Sequence, residues 1–388
     1  MNGILKVVGI GDLHFGHPRI NAESLYKKLR ACLYPELKET HLLVLTGDTY
    51  DQLLTVNSKA HHFVSLFISD LLNISAQTGM QVRILHGTFT HDRDQLSVFD
   101  TLHIPGARYK VVNSIYTEEI TDLRTNTEIL PISLHVGYLP DNLPYKYSTD
   151  AVGQLKNLMT VAGYDHLDML VGHGTFEHVT LNTGHKPACL YTIQQFDGIV
   201  KGPIIMGHIH TPGQTKNVYY CGSFERLAHG EEENKGFYVF TEDIKQPGSW
   251  KARFVVNPYT VPFRTIAPDD TADIPRITKA FIAMVEEYFP NGKGYLRVLH
   301  PSAEVRTLLH RICAENFPDI SYSSKATGKQ EQIEMRIEEI QLDILDDVKP
   351  NVNNLSDLVY QFLDEHQLLD CIPKEKITEM MNVLLSGG

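Results

Sequence analysis

Five short apolar runs in the first 210 residues each lead into an aspartate or histidine, usually beside a glycine. Residues 4–10 lead into Gly11-Asp12-Leu13-His14, and 41–46 into Gly47-Asp48-Thr49-Tyr50-Asp51. The run 81–86 is closely followed by Thr90-His91-Asp92, 166–172 ends on Gly172-His173, and 203–206 leads into Gly207-His208-Ile209-His210. Runs of this length, rich in branched side chains and closed by turn residues, predict strands. Further strands are expected over 128–135, 217–221 and 236–240. Between them, 58–77 and 150–162 read as helices; in the first, Phe63, Leu66, Phe67 and Leu71 keep helical spacing. Continuous apolar strands alternating with helices predict an α/β layered core whose central strands are covered on both faces. Such folds assemble their sites from side chains at strand ends.

The remaining chain divides by pattern. Gln246-Pro247-Gly248-Ser249 predicts a hairpin tip, and Asn257-Pro258 and Val261-Pro262 mark the exit from a core spanning 1–260. A smaller α+β domain is expected over 261–335, with one helix burying Ile277, Phe281, Met284 and Val285 and another burying Val305, Leu308, Leu309 and Ile312. A linker over 336–350 leads to a helical tail, 351–388. Its two stripes are Leu355, Leu358, Val359, Phe362 and Ile377, Met380, Met381, Leu384. Two such helices cannot enclose a core, so they must pack on this chain or on a partner.

Composition narrows the class. No apolar run reaches the ~18–20 residues that span a bilayer, so no membrane association is expected. The opening strand does not read as a secretory signal, and five scattered cysteines suit a reducing compartment, which together predict a cytoplasmic location. A net charge of −12 speaks against coating nucleic acid unaided. It leaves room for a nuclease whose bound cations meet the phosphate.

Carboxylate and imidazole groups in this arrangement suit divalent transition metals. Two ions ~3.5–4 Å apart can hold both the attacking oxygen and the phosphoryl oxygens of an in-line displacement, and Asp48 could bridge them with its two oxygens. Isolated histidines such as His61, His62, His86 and His166 are expected to be structural or solvated. His135 is expected in a loop, given Gly137-Tyr138-Leu139-Pro140 after it. No G-x-S-x-G elbow or P-loop is present, and no cysteine stands in a nucleophile motif.

The ordered series D-x-H, G-D-x-x-D, H-D, G-H, G-H-x-H resembles the calcineurin-like metallophosphoesterases. Within them, Gly222-Ser223-Phe224-Glu225-Arg226 and Gly230-Glu231-Glu232-Glu233-Asn234-Lys235-Gly236-Phe237 resemble the SbcD branch of DNA nucleases. The resemblance covers the first ~240 residues by motif and the rest by domain order only. It implies a β-sandwich flanked by helices, with Asp12, His14, Asp48 and His210 around one metal and Asp48, His173 and His208 around the other. His91 would act at the scissile phosphate and Asp51 would orient His91 or the substrate; manganese is the implied ion, although the ligand set itself would also accept iron or zinc. The family's third motif usually reads G-N-H-D or G-N-H-E, with the asparagine on the second metal. Here the chain reads Gly87-Thr88-Phe89-Thr90-His91-Asp92, so Thr90 is expected in the asparagine's place as a shorter, weaker ligand, unless the loop has shifted.

The resemblance further implies a metal-dependent phosphodiesterase with exonuclease and endonuclease activity on DNA, in recombination and repair. The small domain would guide DNA, and the tail would dock an SbcC-like coiled-coil ATPase. A homodimer is implied as well, with helix 58–77 as a candidate surface. Two rival readings stay open: a phosphatase or nucleotide phosphodiesterase on the same core, and a DNA- and ATPase-binding scaffold whose metal site has decayed.

Overall fold

The computed structural model describes residues 3–141, 150–178, 191–267, 273–299 and 303–325. The linker 336–350, the tail with its two apolar stripes, and the end of the expected 261–335 domain lie outside the described residues. The chain forms two compact units. The first takes Met1–Thr265 with Val285–Leu296 and Asp319–Ser321; the second begins at Ile266 and includes Arg297–Pro318.

The chain is a mixed α/β protein. In order, its strands begin with β1 (Ile4–Ile10), β2 (Leu42–Leu45), β3 (Gln81–Leu85), β4 (Arg108–Val112) and β5 (Tyr116–Ile120). A short pair, β6 (Leu123–Arg124) and β7 (Ile129–Leu130), precedes β8 (Leu134–Leu139), β9 (Met169–His173) and β10 (Ile204–Gly207). Next come β11 (Gly213–Thr215), β12 (Val218–Tyr220), β13 (Gly236–Asp243) and β14 (Lys251–Val256). One six-stranded sheet has the order β14-β13-β1-β2-β3-β4, the other β11-β12-β10-β9-β8-β5. β1 to β4 are parallel, as are β12, β10, β9 and β8. Antiparallel strands close the edges at β13–β14, β11 and β5.

Alternation along β1 explains the layering. Val8 and Ile10 join Leu43, Leu45, Val82 and Ile84 in a core completed by the helices Ala22–Cys32 and Lys59–Thr78. The intervening Leu5 and Val7, with Leu42 and Val44, share a second core with Val136, Tyr138, Met169, Val171 and Ile205 of the other sheet. A third core sets Leu170, Ile204 and Met206 against Leu155 and Met159 of the helix Ala151–Ala162. Each large apolar side chain removed from water in these layers contributes ~1.5–3 kcal/mol.

The helix Lys59–Thr78 is bounded by Ser58, which accepts the N–H of His61 at 3.1 Å, and by Gly79 in the left-handed region. Its Val64, Phe67, Ile68, Leu71 and Leu72 are buried against the first sheet. Of the expected stripe, Phe67 and Leu71 are buried there, whereas Phe63 and Leu66 are only half-buried.

Residues 128–135 do not form one strand. Pro131 offers no N–H to a ladder, and the chain breaks there into β7 and β8. His135 therefore lies inside β8, paired with Glu119 and stacked on Tyr164 at a ring-centroid distance of 4.2 Å, and not in a loop.

Toward the C-terminus, β15 (Phe263–Ile266), β16 (Gly294–Leu299) and β17 (Ile320–Lys325) form a three-stranded sheet in that order. The helices there are Ile274–Tyr288 and Ala303–Asn316. Ile277, Phe281, Val285, Val305, Leu309 and Ile312 are buried as expected; Met284 and Leu308 are only half-buried. Among the described residues, no helix is long and apolar enough to cross a membrane.

Candidate metal centre

The C-terminal ends of β1, β2, β3, β9 and β10 carry Asp12, Asp48, Thr88, His173 and His208 within a few residues of each strand's last position. Two hydrogen bonds tie the sheets together at this edge. The His208 N–H donates to Asp12 Oδ1 at 2.9 Å, and His173 Nδ1 donates to the Thr46 carbonyl at 2.7 Å.

Backbone strain concentrates here. Asp12, His14, Asp48 and His208 all have positive φ, between 49° and 84°, where L side chains are disfavoured. The strain is held by neighbours: Asp12, Leu13 and His14 donate their N–H groups to the carbonyls of Gly47 and Asp48. Asp92 accepts the N–H groups of Asp48, Tyr50 and Gly87 at 2.8–2.9 Å, clamping the second and third motifs together. Gly87 has no alternative, since a Cβ there would run into the backbone nitrogen and carboxylate of Asp48.

The functional side chains form two adjoining donor sets and a flanking group. Asp12, His14 and His210 form one set, and Asp48, His173 and His208 the other. In the first, His14 and His210 face each other through Nε2 at 3.1 Å. Glu231 Oε1 lies 3.0 Å from His210 Nδ1, and Asp51 Oδ1 lies 3.2 Å from His14 Nδ1. The Glu231 carboxylate makes Nδ1 the protonated nitrogen of His210 and turns its Nε2 lone pair toward His14, whose own Nδ1 makes no hydrogen bond among the described residues. In the second set, His173 donates its Nδ1–H to the Thr46 carbonyl, and its Nε2 faces Asp48 Oδ2 at 3.2 Å.

Acceptor facing acceptor is repulsive unless a proton or cation lies between. Asp12 and Asp48 are 0% and 2% exposed, and among the described residues neither pairs with a lysine or arginine. Burial pushes Asp12 up from the usual carboxylate range, against the pull of His173 and His210. For Asp48 burial also opposes ionisation, but His173, His91 and His14 together hold the carboxyl down. Conversely, Asp48 raises His173 despite that ring's own burial. Burial and the neighbouring His173 push His208 down to about 3, which keeps it a neutral nitrogen donor. Mixed carboxylate and imidazole donors, with no lysine or arginine paired to Asp12 or Asp48 among the described residues, fit divalent transition cations.

Asp48 stands between the sets through one oxygen. Its Oδ2 is 3.2 Å from His173 Nε2 and 3.9 Å from His14 Nε2, whereas Oδ1 accepts the Thr88 N–H at 2.7 Å. A bridge through two separate oxygens was expected; the backbone of Thr88 takes one of them.

The hydroxyl at the second set belongs to Thr88, not Thr90. Thr88 Oγ1 lies 3.3 Å from His173 Nε2, 3.4 Å from Asp48 Oδ2 and 3.5 Å from His208 Nδ1. Gly87 is pinned to Asp92, so the residue directly after it enters the set. Phe89 and Thr90 then form a single helical turn, Phe89–Asp92, that delivers His91. Phe89 and Thr90 thus separate Thr88, at the second set, from His91, and the sequence signal was the intact Gly87-Thr88 pair.

His91, His14 and Asp51 make the flanking group. His91 Nδ1 donates to the Asp51 carbonyl, and its ring meets His14 edge-on at 4.9 Å. Asp51 thus contributes its backbone oxygen to His91 and its carboxylate to His14. Burial opposes ionisation of Asp51, and His14 overcomes it to lower the carboxyl.

Glu231 and Lys235 were not anticipated as site residues. Lys235 is fully buried and spans Glu231 Oε2, Glu233 Oε1 and the His210 carbonyl at 2.7–2.9 Å. A lysine immediately before a strand as apolar as β13, four residues after a glutamate, was the available signal. Arg226 serves the same region, bonding Thr260 Oγ1 and the carbonyls of Glu232 and Glu233. Glu225 pairs with Lys28 and accepts the Val261 N–H.

No protein-family model matches the chain, and no curated protein matches it. Among solved structures, 24 chains match. One of them is titled "GAP50 the anchor in the inner membrane complex of Plasmodium". It is similar at a TM-score of 0.42 and 14% sequence identity, over 72% of this chain and 94% of that one.

Proposed function

We propose that this chain is a two-cation phosphodiesterase that cleaves DNA, of the SbcD type within the calcineurin-like metallophosphoesterases. The observation that carries this reading is the single oxygen of Asp48 lying between two donor sets, 3.2 Å from a histidine of one and 3.9 Å from a histidine of the other. The two sheets with helices on their outer faces fit the layered core of that superfamily.

Asp12, His14 and His210 would hold one cation, and His173, His208 and the Thr88 hydroxyl the other, with Asp48 common to both. Divalent cations in these sets, manganese by family analogy, would supply Lewis acidity toward a phosphate group. The protein's own contribution is orientation and proton handling. Thr46 and Glu231 orient His173 and His210 through their Nδ1 atoms, and the Asp51 carboxylate faces His14 at 3.2 Å. The Asp51 carbonyl fixes His91 in the same way, so its Nε2 is the atom suited to carry a proton to the leaving oxygen.

DNA as substrate rests on the resemblance of the segments 222–226 and 230–237, the second of which supplies Glu231 and Lys235 to His210. By the same analogy the 261–335 region guides DNA, the 351–388 tail docks an SbcC-like ATPase, and the protein is a homodimer.

Labelled single- and double-stranded DNA, a nitrophenyl phosphodiester and a phosphomonoester, each incubated with and without manganese, test the proposal together. The expected result is manganese-dependent cleavage of DNA and of the diester, lost in His91→Ala. Cleavage of the monoester alone would make the chain a phosphatase, and DNA binding without hydrolysis would make it a scaffold.

A further inference from the structure

Glu231 belongs to neither donor set, yet it holds a member of one. Its Oε1 lies 3.0 Å from His210 Nδ1, and its Oε2 lies 2.8 Å from the ammonium of Lys235. The Leu227 N–H at 3.2 Å and the Ser223 hydroxyl at 3.4 Å complete the surroundings of Oε2. Lys235 in turn donates to the His210 carbonyl at 2.9 Å. One buried ammonium therefore fixes both the backbone of His210 and the carboxylate that faces its ring.

We propose that Glu231, anchored by Lys235, is the positioning residue that fixes His210 as the Nδ1–H tautomer and so opens the Asp12–His14–His210 set to a divalent cation. The argument turns on the 3.1 Å separation of His14 Nε2 and His210 Nε2. With the Glu231 carboxylate in place, His210 presents its Nε2 lone pair to the space it shares with His14 and Asp12, where a cation would satisfy it. Without it, His210 can take the other tautomer and donate Nε2–H to His14. The two rings would then satisfy each other and close the place a cation would occupy. A carboxylate behind a ligating histidine also makes its exposed nitrogen a stronger donor, and losing such a partner typically costs 10- to 100-fold in metal affinity.

The effect should be confined to one set. Among the described residues, neither Glu231 nor Lys235 hydrogen-bonds to Asp48, His173, His208 or Thr88.

The proposal rests on the two-cation reading, and its test separates the two. Manganese is titrated calorimetrically into the full chain, into Glu231→Ala and into the near-isosteric Glu231→Gln, with a thermal melt of each to establish folding. In the metal-free proteins, imidazole nitrogen-15 shifts report the tautomer of His210. The wild type should bind two ions and show Nδ1–H at His210. Glu231→Ala should bind one ion unchanged and the other about 10- to 100-fold more weakly, with His210 converted to Nε2–H. Glu231→Gln, which keeps an acceptor oxygen for Nδ1, should fall between them. Two wild-type affinities in Glu231→Ala, an equal loss at both sites, or an unchanged tautomer would each overturn the assignment. A wild type that binds no divalent cation defeats the two-cation reading instead; the imidazole shifts then still decide whether Glu231 sets the tautomer.

Discussion

Thr88 grips Asp48 twice: its N–H donates to Oδ1 at 2.7 Å, while its hydroxyl oxygen lies 3.4 Å from Oδ2. The carboxylate is thereby held with one oxygen committed and the other turned to both donor sets. Removing the hydroxyl should weaken one cation and spare the backbone contact. Thr88→Val is expected to lower manganese affinity at the Asp48–His173–His208 set by about tenfold, the scale of lost metal-site partners. Thr88→Asn, which presents an amide oxygen, should match or exceed the wild type, and Thr90→Val should leave the titration unchanged. Calorimetric titration of the three variants checks this. A loss in Thr90→Val equal to that in Thr88→Val would contradict the loop geometry.

Asp48→Asn should be more severe, and for a directional reason. The Thr88 N–H requires an acceptor, so the amide oxygen is drawn to the Oδ1 position and the NH2 group takes the place of Oδ2. A donor then points at both sets. Affinity should fall at both sites, and activity on a phosphodiester by several orders of magnitude, while the circular dichroism spectrum is retained. Loss of one ion with full retention of the other would show that Oδ2 serves a single set.

Much of this centre was legible because strand ends are written in local sequence. An apolar run followed by Asp12-Leu13-His14 or Gly207-His208-Ile209-His210 fixes both the strand and the side chains just beyond it. The hydroxyl ligand was misplaced for the opposite reason. What pins Gly87 is Asp92 and the crowding of Asp48 from a neighbouring strand, neither of which spacing along one loop reveals. Strands β4 and β5 were also missed: Arg108–Val112 and Tyr116–Ile120 carry charged and aromatic residues, and they become strands by pairing at sheet edges. The left-handed backbone of Asp12, His14, Asp48 and His208 leaves no mark in residue type comparable to a glycine.

Metal removal offers a stability test that needs no substrate. Two buried carboxylates that pair with no lysine or arginine among the described residues should make the native state gain from any cation that binds it and not the unfolded chain. At 100 times the dissociation constant, one such site adds about 2.7 kcal/mol. Manganese should therefore raise the melting temperature of wild type by several degrees and chelation should reverse it. Asp12→Asn combined with Asp48→Asn should abolish the shift. A melting temperature indifferent to manganese in wild type would argue against any cation at these sets.

His41 gives a pH-dependent prediction remote from the metal centre. Its Nδ1 accepts the Lys6 N–H at 3.2 Å, continuing the ladder between β1 and β2 as a carbonyl would, while its own N–H donates to the Lys6 carbonyl. Protonating Nδ1 would set two donors against each other in a buried place. Burial pushes the folded-state value down to about 4, with Glu128 pulling weakly the other way. In the unfolded chain the value is about 6.5. Between those limits the unfolded state binds more protons, so stability is full above pH ~6.5 and is lost as pH falls toward 4. A difference of that size corresponds to at most about 3 kcal/mol. His41→Gln retains an acceptor for Lys6 without titrating. Urea denaturation at several pH values in chelator should show wild type losing about that much more stability than His41→Gln between pH 7 and pH 4.5. Parallel curves for the two proteins would mean that His41 is protonated, or exposed, in the native state.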